Sequence, residues 1–138
     1  MKLETQIVGN IGMFFTCYEL SRRGWNVMPT SRNARGIDII AYNSEATEYI
    51  GVQVKTLSKR NAVPLGSTLD KVMGDYWVIV DKVATEPRAF ILEPDDVRHL
   101  AKYNEKNGKR SYWLNPQQYD QEEFSENWEL IGYGSKHA

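Results

Sequence analysis

Cysteine is almost absent: Cys17 stands alone among 138 residues. That count excludes an internal disulfide and a thiolate metal cluster. Histidine is nearly as scarce. His99 and His137 have no histidine neighbour at ligand spacing, so neither a zinc site nor a catalytic triad is supported. No apolar run is long enough for a membrane span, and no cleavable leader is recognisable. The expected location is therefore cytoplasmic, with no membrane partner. An excess of either charge is also lacking, since 17 Lys and Arg face 18 Asp and Glu for a formal net charge of -1. Whole-chain electrostatics gives no support to nucleic-acid binding, which would need a local patch. A glycine-rich phosphate loop, a dinucleotide fingerprint, internal repeats and low-complexity segments are all missing.

What is present is enough chain for one domain with a real core. Its most informative stretch runs from Arg35 to Lys55. Ile37, Ile39 and Ala41 alternate with Asp38, Ile40 and Tyr42. Ile50, Val52 and Val54 alternate with Gly51, Gln53 and Lys55. A period of two sends alternate residues to opposite faces of a sheet. Asn43-Ser44-Glu45 supplies the turn, so the two runs are expected to pair as a hairpin. Pairing of the apolar faces then places Asp38 on the side of Gln53 and Lys55. Acids and lysines are rarely buried unless paired or functional. An acid, an amide and an amine there could hold a divalent cation and a phosphate, with Asp38 and the Val54 carbonyl as metal ligands. The competing reading on spacing alone is a solvated hairpin with an exposed ion pair of little energetic value.

Along the chain, Ile7, Ile11, Phe14 and Tyr18 follow helical spacing, which predicts a helix over 5–23 with that stripe as its core face. Gly24 is a natural stop. A strand at 25–28 precedes the hairpin. Residues 56–66 read as a loop, 67–73 as a short helix with capping-box spacing, and 76–80 as a strand buried on both faces. A strand at 88–92, a helix over 94–106 closed by Asn107-Gly108, an extended piece at 111–114 and a short helix within 116–124 complete the reading. Trp128 to Ile131 is expected to pack back on the body. Cys17 and the Tyr76-Trp77 pair read as core residues. Arg32, Arg35, Lys59 and Arg60 flank the motif and could bind phosphates.

This α-β-β-β-α-β order, Gly36-Ile37-Asp38, Gln53-Val54-Lys55, Gly9-Asn10-Ile11-Gly12 and Arg23-Gly24-Trp25 together resemble the PD-(D/E)XK nuclease superfamily, in its Holliday-junction-resolvase-like branch. The resemblance implies an α/β, restriction-endonuclease-like core over about residues 5–80, with a mixed sheet and helical additions over 81–138. It implies Mg²⁺- or Mn²⁺-dependent hydrolysis of DNA, with Asp38 as metal ligand, Gln53 in place of the second acid and Lys55 as the catalytic lysine. Many members carry a glutamate on the first helix, where this chain has Met13. Two unit charges at about 4 Å interact by about 4 kcal/mol at an effective dielectric of 20, so loss of that acid implies weak metal binding. DNA is the expected partner, and a homodimer is left open. The alternative is a catalytically weak or inactive module that keeps the fold and binds nucleic acid or a protein.

Overall fold

The structure is a computed structural model that describes residues 2–31 and 36–136. Helix α1 spans Thr5–Ser21. The strands are β1 (Asn26–Pro29), β2 (Ile39–Tyr42), β3 (Tyr49–Thr56), β4 (Val63–Gly66), β5 (Tyr76–Asp81), β6 (Arg88–Leu92), β7 (Lys102–Lys106) and β8 (Lys109–Leu114). Two short helices, α2 (Pro94–Leu100) and α3 (Pro116–Tyr119), and a 3-10 turn at Trp128–Leu130 complete it. No helix among the described residues is long and apolar enough to cross a membrane.

Five strands form one mixed sheet in the order β1-β2-β3-β5-β6, in which only β3 and β5 run parallel. The expected hairpin is present, with Ile39 opposite Val52 and Ala41 opposite Ile50. The parallel pair is locked at its start, where Gly51 and Asp75 exchange bonds. The Gly51 N–H donates to the Asp75 carboxylate and the Asp75 N–H to the Gly51 carbonyl, both at 2.7 Å. One face of the sheet, formed by Ile39, Ala41, Val52, Val78 and Val80, packs under α1. The other face of β5 and β6, with Trp77, Ile79, Phe90 and Leu92, packs against Val63, Leu65 and Leu114 of a second sheet. That sheet has the order β4-β8-β7. Strand β5 is thus buried on both sides, as its apolar run implies.

Several local expectations are corrected. The core face of α1 is Val8, Gly12, Thr16, Cys17 and Leu20, whereas Phe14 and Tyr18 are 66% and 62% exposed and Ile7 also faces outward. Apolar residues lie nearly all round this helix, so spacing alone did not select a face. Gly12 does: a Cβ there would overlap the Thr56 hydroxyl, so the helix backbone lies directly on β3. Residues 67–73 form turns, not a helix. Thr68 Oγ1 accepts the Asp70 N–H at 3.3 Å, a local bond that competes with helix propagation. The segment 56–66 contains β4, with Pro64 on an edge strand where proline is tolerated. Helix α2 stops at Leu100, and the additions after residue 81 are a mixture of strands and short helices. Asn107-Gly108, read as a helix stop, is the turn of a β7–β8 hairpin, with φ of 55° and 75°. Both central residues have positive φ, as a type I′ turn requires.

The close seat of α1 gives the first prediction. Gly12→Ala should destabilise the protein by about 1–3 kcal/mol in urea unfolding, the usual cost of overpacking. Thr56→Ala, which removes the two nearest atoms, should recover part of that loss in the double variant. Additive losses would show that the helix does not approach β3 at Gly12.

Candidate active site

Asp38 is the residue before β2, and its backbone is held from both sides. Its N–H donates to the Val52 carbonyl and its carbonyl accepts the Thr30 N–H, each at 2.9 Å. The Thr30 hydroxyl also donates to the Ile37 carbonyl. With the main chain fixed, the carboxylate reaches across to β3, where Oδ2 accepts the Val54 N–H at 2.7 Å. No other hydrogen bond to this carboxylate is found among the described residues.

Lys55 follows on the same strand. Its register partner on β5 is Ile79, and its ammonium lies 5.7 Å from the centre of the Trp77 ring. Asp38 and Lys55 are both half-buried, and each senses the other's charge. Among the described residues they form no ion pair within 4 Å. Burial pushes the Asp38 carboxyl above its ordinary range, against the pull of the Val54 N–H and the Lys55 cation. Burial likewise lowers the Lys55 ammonium; Asp38 opposes that shift and Lys71 reinforces it. Lys71, exposed in the turns between β4 and β5, is therefore part of this electrostatic environment. It belongs to no sequence pattern, so only the folded crossover reveals it.

Gln53 lies between these two in sequence parity but is only 3% exposed. Its Oε1 accepts the Met73 N–H at 3.2 Å. Its Nε2 faces Gly36, where an added Cβ would come within 3.3 Å of it and 3.2 Å of the Met73 sulfur. Gly36 has φ +85°, a conformation that favours glycine on the approach to Asp38. Gln53 thus joins β3 to the crossover and backs the segment that presents Asp38.

The flanking cations differ. Lys59 is exposed in the loop after β3. Arg60 is bound to Asp120 at 2.8 Å, and Asp120 is shared with Arg88, whose guanidinium forks onto the buried Asp81 at 2.9 and 2.5 Å. Arg60, followed by Arg88, holds the Asp120 carboxyl below its ordinary range. Arg32 and Arg35 lie outside the described residues. Met13 packs into the layer under α1, on the sheet face opposite Gln53 and Lys55, and Glu19 is engaged by Arg23 at 2.6 Å. Trp77 is core, as read, and its indole N–H donates to the Met73 carbonyl. Cys17 is buried, and burial pushes its thiol up.

The donor set is sparse. No group of three or more histidines, cysteines or carboxylates converges among the described residues. One carboxylate with an oxygen to spare suits Mg²⁺, which retains waters and takes phosphate oxygens as ligands. It does not suit an ion that needs a full protein cage.

No family model and no curated protein sequence matches the chain. The structure does have likenesses. A bacterial homing endonuclease, I-Ssp6803I, superposes with a TM-score of 0.59 at 16% identity, covering 94% of this chain and 93% of that one. The Archaeoglobus fulgidus Holliday junction resolvase Hjc gives a TM-score of 0.50 at 14% identity, over 78% of this chain and 90% of that one. The chain has a restriction-endonuclease-like fold.

The opposed burial shifts of Asp38 and Lys55 generate a stability prediction. A carboxyl whose folded pKa is raised stabilises the fold fully below the unfolded value, about 3.9, and that contribution is lost as pH rises through the folded value. Asp38→Asn keeps an acceptor for the Val54 N–H and removes the buried charge. Its melting temperature at neutral pH should equal or exceed that of the wild type. The wild type should lose ground relative to the variant as pH rises from 3 to 7, across the ordinary aspartate value. A wild-type advantage that grows over that window would contradict the burial of Asp38.

Proposed function

We propose that this protein hydrolyses DNA phosphodiesters with a divalent cation, Mg²⁺ or Mn²⁺, at the Asp38–Lys55 site. The observation that supports this reading most is the pairing itself. An acid just before one strand and a lysine on the next, each taken partly out of water, stand in a nuclease-like fold with the acid bonded to the Val54 N–H beside that lysine. An ion pair kept for stability alone would close to contact or remain solvated.

In such a reaction the oxygen of a water bonds to phosphorus, the bond to one ester oxygen breaks, and the departing oxygen takes up a proton. Both oxygens and the phosphate accumulate negative charge on the way. A cation held by Asp38 and the Val54 carbonyl would supply Lewis-acid neutralisation of that charge. Asp38 contributes the anionic ligand, oriented by the Val54 N–H. Lys55 contributes a cation fixed by its strand, beside the phosphate rather than in solvent. Burial lowers the Lys55 ammonium, against the pull of Asp38, so its charge is less shielded by water than that of a surface lysine. Gln53 acts as a positioning residue, because its amide oxygen already accepts the Met73 N–H. Lys59 can meet a neighbouring phosphate, whereas Arg60 must first leave Asp120.

The second reading is a non-catalytic DNA-binding module of the same fold. The lack of a cluster of three or more metal-ligating side chains among the described residues and the position of Met13 in the opposite layer favour it.

An assay with plasmid, branched and single-stranded DNA in Mg²⁺ or Mn²⁺ decides between them. Lys55→Ala and Asp38→Asn should each lower cleavage by at least about 100-fold while leaving the fold intact. Chelation should abolish it. The acid limb of the pH profile should lie above the ordinary aspartate value, because the raised Asp38 must ionise before it binds a cation. Lys59→Ala should weaken binding and reduce its salt dependence without stopping turnover. DNA binding with no cleavage, unchanged in Lys55→Ala, would establish the second reading.

A further inference from the structure

The β7–β8 hairpin is the most strongly charged element outside the site. Between Lys102 and Trp113 four cations face one acid, in a chain whose net charge is -1. Every residue from Lys102 to Ser111 is exposed, so the ribbon stands out from the body. Directly paired residues share a face, and the pairing divides the hairpin into two unlike surfaces. On one surface Arg110 is fully occupied. It stacks 4.4 Å from the centre of the Tyr103 ring, donates to the Tyr112 hydroxyl at 3.2 Å and lies 3.7 Å from Glu105. Tyr103 and Tyr112 are themselves in ring contact at 5.6 Å. This surface braces the ribbon.

The other surface bears Lys102, Asn104, Lys106, Lys109, Ser111 and Trp113. It has no acid, and none of its three lysines forms an ion pair among the described residues. Lys106 and Lys109 are opposite one another near the tip. Lys102 lies four residues along β7 from Lys106, about 14 Å at the usual strand rise. Asn104 and Ser111 are opposite one another, between the two cationic levels. A shallow depression of about 180 Å³ at the base is lined by Lys102, Tyr103, Asn104, Trp113 and Asn115.

We propose that this surface enters the major groove of duplex DNA, with Lys102, Lys106 and Lys109 on phosphates and Asn104 and Ser111 on base edges. The major groove is about 12 Å wide and admits a two-stranded ribbon. Cations about 14 Å apart can therefore meet both phosphate walls while the pair between them faces the bases. Asparagine suits adenine, to which it bonds in bidentate fashion. The type I′ turn gives the ribbon the right-handed twist of its strands, and the braced surface keeps it straight. The assignment rests on DNA being the substrate, as proposed above, but makes its own claim about where the duplex is read.

The test measures binding of a fluorescein-labelled random-sequence duplex by anisotropy over a salt series. Lys102→Ala/Lys106→Ala/Lys109→Ala should weaken binding by about tenfold or more and reduce the salt slope by about 2.7, near 0.9 per lost phosphate contact. A Lys2→Ala/Lys136→Ala control should leave both nearly unchanged. Asn104→Ala should lose about tenfold of the preference for duplexes selected by the wild type over random sequence. Wild-type binding with an unchanged slope in the triple variant overturns the hairpin assignment and leaves the nuclease reading intact. No binding and no cleavage by the wild type overturns both.

Discussion

The hydrogen bond from the Val54 N–H to the Asp38 carboxylate is the interaction on which the site depends. It fixes a side chain that begins one strand to the backbone of the next. Because Val54 and Lys55 are consecutive, the same bond sets the position of the acid relative to the lysine. Moving either strand by one residue would send Lys55 to the face under α1 and break this relationship. Three features protect the register. Thr30 and Val52 hold the Asp38 backbone, Asp75 clasps Gly51, and Gln53 holds the crossover at Met73. Each is a polar contact that makes sense as support for a precise placement at the sheet's open side.

The two layers of core divide the work. Helix α1 and one sheet face form an apolar slab that needs Gly12 for its close contact. The opposite face is covered by the small sheet only over β5 and β6. On β3 that face is left to Gly51, Gln53 and Lys55, which are half-buried to buried instead of sealed beneath a helix. Partial desolvation follows, and it shifts Asp38 up and Lys55 down. Chemistry at a phosphate benefits from such charges, since fewer waters compete for them. The fold bears the cost of keeping them charged.

Much of this was legible in the sequence because strand periodicity is a parity rule. Ile39, Ala41, Ile50 and Val52 assigned the faces of the hairpin, and with them the side of Asp38, Gln53 and Lys55. The apolar run at 76–80 revealed the central strand in the same way. Helix α1 was legible as a helix but not in its orientation, because Ile7, Phe14 and Tyr18 are as apolar as Val8, Cys17 and Leu20. Asn107-Gly108 is an ambiguous signal, a helix stop and a hairpin turn alike, and pairing with β8 decides it. The commitment of the Gln53 amide to Met73, the link between Arg60 and Asp120, and the presence of Lys71 near Lys55 are tertiary facts that no local pattern encodes.

Manganese titration followed by NMR locates the cation on the protein, because paramagnetic broadening reports where the ion resides without requiring turnover. In the presence of duplex DNA, amides of Ile37, Asp38, Val54 and Lys55 should broaden first, and Asp38→Asn should remove that effect. In the absence of DNA the same signals should need far more Mn²⁺, since one carboxylate provides the anionic ligation. Broadening centred elsewhere, or unchanged by Asp38→Asn, would contradict the assignment of the Asp38–Lys55 pair as the cation site.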